Sequence, residues 1–142
     1  MVFQPKLNLM NTRKAFLKEL TYKINGAAIE VHKELGPGLL ESVYHQCLIH
    51  ELRNRNVYFQ SERLIEVNYK GLNLDTNLRC DLLVEKSICV ELKAVKEMLP
   101  IHDAQILSYM KLLKVPKGIL YNFNVYNLYN EGQKTFVNEF FI

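Results

Sequence analysis

Residues 80–94 read CDLLVEKSICVELKA, two short apolar runs on either side of the polar residues 85–87. Apolar runs of this length around a three-residue turn predict an antiparallel β-hairpin. If the turn is that short, Asp81 faces Glu91 across the two strands. Side chains alternate between the faces of a strand, so Lys93 projects from the same face as Glu91. The hairpin therefore places two acids and a lysine together.

This pair of acids has two physical interpretations. Carboxylates directly opposite each other repel, and a divalent cation such as Mg²⁺ relieves the repulsion, because it binds through one or two carboxylates and waters. Lys93 would then reach a water or phosphate beside the cation, an arrangement suited to phosphodiester hydrolysis. Alternatively, Arg79 and Lys93 neutralise Asp81 and Glu91 on a solvated face. Short motifs match by chance, so the hairpin alone favours this salt-bridged surface.

The rest of the chain predicts a mixed α/β fold. Apolar residues at three- and four-residue spacings predict helices over 12–35, 39–54 and 101–114. Alternating or continuous apolar runs predict strands at 62–70, 77–84, 88–95, 118–125 and in the C-terminal tail. Consecutive strands should pair antiparallel, whereas the strand–helix–strand unit over 88–125 should form a right-handed parallel crossover. We therefore expect a mixed central sheet flanked by helices.

Composition limits the classes of protein. The 142 residues are 49% hydrophobic and 23% charged, which predicts a single globular domain over 1–142. The net charge of +3 permits a polyanionic partner without requiring one. No membrane-spanning run or signal-peptide pattern is present, so we expect a cytoplasmic protein without a membrane partner. The three cysteines, Cys47, Cys80 and Cys89, are expected to be buried reduced thiols.

Four separated motifs resemble a known family. GLLESVY at 38–44 matches the pattern G-x-x-E-x-x-Y, and RCDLLV at 79–84, VELKA at 90–94 and HDAQILSYM at 102–110 follow it. Together they resemble the PD-(D/E)xK nuclease superfamily and, within it, the bacterial and archaeal GxxExxY family. The resemblance covers residues 24–125. It implies a restriction-endonuclease-like αβββαβ core with an added N-terminal helix and C-terminal strand.

The resemblance also implies roles for individual residues. Asp81 and Glu91 would be metal ligands, with the carbonyl of the next residue, Leu92, as a further candidate ligand. Glu41 would complete the acidic cluster directly or through a water. Lys93 would position or activate the attacking water, and Gln105 would orient water or substrate.

Other residues are less certain members of the site. Tyr44, His102 and Tyr109 are candidates for the edge of the site. The alternative for the two tyrosines is packing in the core, and the alternative for His102 is an exposed position in the first turn of a helix. Cys80 stands where the superfamily has proline, and we expect it on the apolar face of the hairpin. The remaining histidines, His32, His45 and His50, lack metal-ligand spacing, so we expect them to be structural.

Two functions follow from these observations. The resemblance implies a Mg²⁺- or Mn²⁺-dependent nuclease acting on nucleic acid, with DNA favoured over RNA. The alternative is a non-catalytic module that keeps the fold and binds nucleic acid or protein, because a fold does not determine function. A homodimer or a complex with a partner protein is compatible with either function, but no coiled-coil pattern favours a particular assembly.

Overall fold

Three α-helices and seven strands make up the part of the chain that the computed structural model describes, residues 6–142, with side chains described from residue 13 onward. The helices are α1 (Lys6–Leu35), α2 (Glu41–Asn54) and α3 (Pro100–Leu113). The strands are β1 (Phe59–Leu64), β2 (Val67–Tyr69), β3 (Leu72–Leu74), β4 (Arg79–Val84), β5 (Ile88–Lys93), β6 (Lys117–Asn122) and β7 (Gln133–Val137). None of the described helices is long and apolar enough to cross a membrane.

Five of the strands form one mixed sheet in the order β1-β4-β5-β6-β7. β4 pairs antiparallel with both β1 and β5, and β6 pairs antiparallel with β7. β5 and β6 are parallel. Between them, α3 returns the chain to the end of the sheet at which β5 begins. The predicted α/β fold, a mixed sheet flanked by helices, is therefore confirmed.

Helices cover both faces of this sheet. Leu82, Val90 and Leu92 belong to a core cluster shared with α1 and α2, whereas Leu83 and Cys89 belong to a second cluster shared with α3. A strand buried on both faces needs apolar residues at nearly every position. This explains why β5 shows no simple alternation of polar and apolar residues.

The predicted hairpin register is confirmed, since Leu82 pairs with Val90 and Val84 pairs with Ile88. The predicted face of Cys80 is wrong: its thiol lies 3.5 Å from that of Cys89 in the α3 cluster rather than with Leu82 and Val84. The described pairing of β4 with β5 stops at Leu82, and the Cys80 thiol donates to the Leu82 carbonyl oxygen. The irregular backbone before Leu82 therefore turns Cys80 to the other face.

The predicted strand over 62–70 is wrong as a single element. β1 ends at Leu64, and β2 pairs with β3 in a separate two-stranded sheet. Lys70 and Gly71 have φ angles of 49° and 88°, which is typical of the two-residue turn of a tight hairpin. This turn pairs Tyr69 with Leu72 and leaves Tyr69 exposed. A single strand over 62–70 would instead place Tyr69 on one buried face with Ile65 and Val67.

The first helix also differs from the prediction. It begins at Lys6, earlier than the predicted start at residue 12, while residues 1–5 lie outside the described part. Phe16, which the apolar spacing places on the buried stripe together with Leu20 and Ile24, is exposed, and the neighbouring Leu17 is buried instead. Leu20 and Ile24 continue the buried stripe at three- and four-residue spacings.

Candidate metal centre

Asp81 and Glu91 interlock where β4 and β5 separate. The backbone N–H of Asp81 donates to Oε1 of Glu91 at 3.3 Å, and the N–H of Leu92 donates to Oδ2 of Asp81 at 2.8 Å. Each acid thus accepts a hydrogen bond from the backbone of the opposite strand. Each of these bonds uses one oxygen of its carboxylate. These two bonds fix the carboxylates beside each other.

Burial makes Glu91 an unusual acid. Only 4% of its surface is exposed. Burial, followed by the neighbouring carboxylate of Asp81, raises the pKa of Glu91 to about 10. Without a cation, this side chain therefore carries a proton at neutral pH. A divalent cation would replace that proton, because it offsets the charge of both carboxylates. The site fits a hard cation that prefers oxygen ligands.

Two thiols adjoin the same acid. Donor atoms of Cys80, Cys89 and Glu91 lie within 4.8 Å of one another, and all three residues are buried. The hydrogen bond to Cys80, followed by burial, raises the pKa of Cys89 well above its usual value. Metals bind the thiolate and not the thiol. The raised pKa makes the Cys89 thiolate, the form that binds a metal, harder to form. Cys47, expected to be buried, is half-buried.

Glu41 reaches the centre from the start of α2. Gly36 and Gly38 have φ angles of 69° and 97°, a region that glycine tolerates, and they turn the chain between α1 and α2. Burial, followed by the charge of Asp81, raises the pKa of Glu41, whereas the charge of Lys93 lowers it. Asp81 and Lys93 are thus near enough to act electrostatically on Glu41, but Glu41 belongs to neither group of donor atoms that lie within 4.8 Å of one another in the described part of the chain.

Lys93 is held from two sides. Its Nζ donates to Oε1 of Gln105 at 3.2 Å, and Nε2 of Gln105 donates to the hydroxyl of Tyr109 at 3.1 Å. Its backbone carbonyl accepts a hydrogen bond from the backbone N–H of Phe123, the residue that follows β6. Gln105 and Tyr109 are four residues apart, so both project from the same face of α3. Burial, followed by the charge of Glu91, raises the pKa of Tyr109 and keeps its hydroxyl protonated.

The other two candidates for the edge of the site bond to nearby backbone. The hydroxyl of Tyr44 donates to the Gly36 carbonyl at 2.6 Å and accepts from the Leu39 N–H at 3.2 Å. The ring of His102 accepts a hydrogen bond from the N–H of Leu99 at 3.0 Å, which caps the start of α3. The structure thus places Tyr44 in the support of the glycine-rich turn and His102 in a helix cap.

Replacing Tyr44 with phenylalanine is expected to lower the free energy of unfolding by about 1–2 kcal/mol, because the Gly36 carbonyl and the Leu39 N–H lose their partner. Urea denaturation of the variant, beside Tyr22→Phe at an exposed position, measures this change. An unchanged unfolding curve would contradict the assigned role of Tyr44 in the turn.

Sequence reasoning missed two polar residues beside Asp81. Donor atoms of His45, Glu62 and Asp81 lie within 4.8 Å of one another. Nδ1 of His45 is 3.5 Å from a carboxylate oxygen of Glu62, and Nε2 is 3.1 Å from the hydroxyl of Ser61. The expectation that His45 is structural stays a prediction, and its position beside Asp81 also makes it a candidate member of the site. The sequence does contain a signal that points to His45. Glu41 and His45 are four residues apart on the predicted second helix, so the two side chains share a face.

Comparison with known proteins assigns the chain to a family. The model of the PD-(D/E)XK nuclease superfamily matches residues 18–135, which include every candidate residue described above. Comparisons with curated proteins and with solved structures gave no match.

Proposed function

The chain belongs to the PD-(D/E)XK nuclease superfamily, and on this basis we propose that it hydrolyses phosphodiester bonds of nucleic acid with the help of a divalent cation. The observation that carries the proposal is the interlocked pair of Asp81 and the buried Glu91, with Lys93 anchored on the same strand. Within the superfamily we assign the chain to the GxxExxY family, on the motif at 38–44. We favour DNA over RNA as the substrate.

The residues that would hold the cation are Asp81, Glu91 and the carbonyl of Leu92, with Glu41 completing the acidic group directly or through a water. Mg²⁺ and Mn²⁺ both suit such oxygen ligands. When bound, the cation supplies positive charge beside the reacting phosphate. The high pKa of Glu91 makes its loss of a proton part of cation binding.

The protein's own groups would position the attacking water. Lys93 has three N–H donors, and one is engaged by Gln105. The two remaining N–H donors can bind the water or a phosphate oxygen. Their direction is set by the hydrogen bond between Lys93 and Gln105. Tyr109 fixes the orientation of Gln105 by accepting a hydrogen bond from its amide nitrogen. In hydrolysis the water oxygen bonds to phosphorus, the bond to the leaving oxygen breaks, and the water proton must be accepted nearby.

Removing the cation is the direct test. We expect the purified protein to cleave labelled DNA when Mg²⁺ or Mn²⁺ is present and to lose all cleavage in EDTA. Asp81→Asn, prepared in the same way, controls for contaminating nucleases, and calorimetry with Mn²⁺ shows whether that variant has lost cation binding. Cleavage that persists in EDTA or in Asp81→Asn contradicts the proposal. Binding of nucleic acid without cleavage and without binding of Mn²⁺ would support a non-catalytic module instead.

A further inference from the structure

The β2–β3 hairpin is inserted in the chain next to the candidate metal centre. The chain leaves the sheet at Leu64, two residues after Glu62, and re-enters it at Arg79, two residues before Asp81. A substrate that extends from the metal centre along this edge of the sheet would therefore meet the hairpin.

One face of the hairpin is apolar and exposed. Val67 pairs with Leu74 and Tyr69 pairs with Leu72, so these four side chains share a face. The exposed fractions are 60% for Tyr69, 58% for Leu72 and 43% for Leu74. Asn68 and Asn73 hydrogen-bond to each other and occupy the opposite face. A two-stranded hairpin is marginally stable alone, and a contiguous exposed apolar face commonly marks a binding surface.

A cleft of about 750 Å³ separates the hairpin from the C-terminal turn of α3. Val67 and Leu74 line the cleft together with Lys111, Leu112 and Lys114 of the α3 end. Asn68 and Asn73 also line it, whereas Tyr69 and Leu72 lie beyond it near the hairpin turn. We call residues 63–79 together with residues 111–114 the hairpin surface.

The hairpin surface carries the net charge of the whole chain. It has five cationic residues and two acidic ones, against 18 and 15 in the chain, so the net +3 is located here. All five cations are exposed, and none forms an ion pair within the described residues. The cations are Arg63, Lys70, Arg79, Lys111 and Lys114. Lys70 Nζ lies 5.3 Å from the ring centroid of Tyr69, and Arg79 donates to the Glu62 carbonyl oxygen, but neither contact neutralises the charge. This excess of positive charge is complementary to a polyanion.

We propose that the hairpin surface binds a single strand of nucleic acid beside the metal centre, with bases against Tyr69 and Leu72 and phosphates against the cations. The inference rests on the proposed function and names the part of the substrate that is held. Proteins bind single strands with this combination of positive charge and aromatic side chains on which bases stack. An apolar face is accessible to bases only where they are not paired in a duplex. A second copy of the chain fits less well, because it would bring the same positive charge against this surface.

Binding of a fluorescent oligothymidylate, measured by anisotropy in EDTA so that no hydrolysis occurs, tests the proposal. The double variant Lys70→Glu/Lys111→Glu is expected to bind about tenfold more weakly. The slope of its logarithmic salt dependence should fall by about 1.4, the effect of losing two phosphate contacts. Tyr69→Ala is expected to bind at least about fivefold more weakly, because a stacking partner is lost. A duplex of matched length should bind more weakly than the single strand.

Matched controls come from exposed positions on α1. Lys18→Glu/Lys33→Glu makes the same charge change, and Tyr22→Ala removes a tyrosine that is 80% exposed. These controls should bind as the wild type does, and thermal unfolding should show that every variant is folded.

The outcomes separate this inference from the proposed function. Wild-type binding that the hairpin variants leave unchanged overturns the inference, while cation-dependent cleavage by the same preparation would still support a nuclease. Absence of binding by the wild type also overturns the inference. If light scattering shows that Tyr69→Ala dissociates a dimer without weakening the binding of nucleic acid, the face is covered by a second copy, and the inference is wrong.

Discussion

Replacing Lys93 with methionine is expected to reduce phosphodiester hydrolysis by about 10²- to 10⁴-fold, the usual contribution of a positioned group that handles water or protons. Methionine keeps an unbranched apolar stem, so the packing at the end of β5 should survive. The lost Nζ is the atom that Gln105 holds at 3.2 Å. Initial rates on labelled DNA with Mg²⁺ or Mn²⁺ measure the loss, and calorimetry should show that Mn²⁺ still binds.

Lys96→Met is the matched control, because Lys96 is exposed and lies only three residues further along the chain. It should retain full hydrolysis. A Lys93→Met variant that binds Mn²⁺ and hydrolyses DNA within about twofold of the wild-type rate would rule out a role for Lys93 in the chemistry. Loss of cation binding together with activity would instead make Lys93 a structural support of the acids.

The core of the site could be predicted because its register is local. A turn of three residues leaves little freedom, so pairing Val84 with Ile88 fixes the register as far as Leu82 and Val90. Asp81 and Glu91 follow directly and meet through hydrogen bonds to the opposite backbone. The crossover from β5 through α3 to β6 follows from general rules for parallel strands. The fold class and the juxtaposition of the two acids therefore follow from short-range patterns together with chain topology.

Contacts that depend on distant parts of the chain could not be predicted in the same way. Glu62 lies beside Asp81 only because β1 pairs with β4, and that pairing spans the β2–β3 hairpin. The alternation of residues 62–70 continues through the point where the chain leaves the sheet, so the pattern conceals the break. Glu62 itself has a φ angle of 52°, a local distortion that no period-two pattern indicates.

Replacing Glu91 with glutamine is expected to stabilise the cation-free protein at alkaline pH by about 2 kcal/mol or more. The pKa of Glu91 is raised from 4.5 to about 10 in the folded protein. Between these values the folded state holds a proton that the unfolded state has released. Stability must therefore fall as the pH rises through this window, by at most about 1.4 kcal/mol per pH unit. Glutamine resembles the protonated acid in shape and removes this dependence.

Urea denaturation in EDTA at several pH values between 5 and 9 measures the effect, with the exposed Glu97→Gln as the matched control. Parallel pH profiles for wild type and Glu91→Gln would show that Glu91 is ionised in the folded protein without a cation. The same linkage predicts the effect of the cation. Mn²⁺ should stabilise the wild type far more than Glu91→Gln, and its binding should release a proton, because the cation replaces the proton on Glu91. Calorimetry in two buffers of different ionisation enthalpy detects that proton, so the buried acid and the cation site are tested by one measurement that does not depend on hydrolysis.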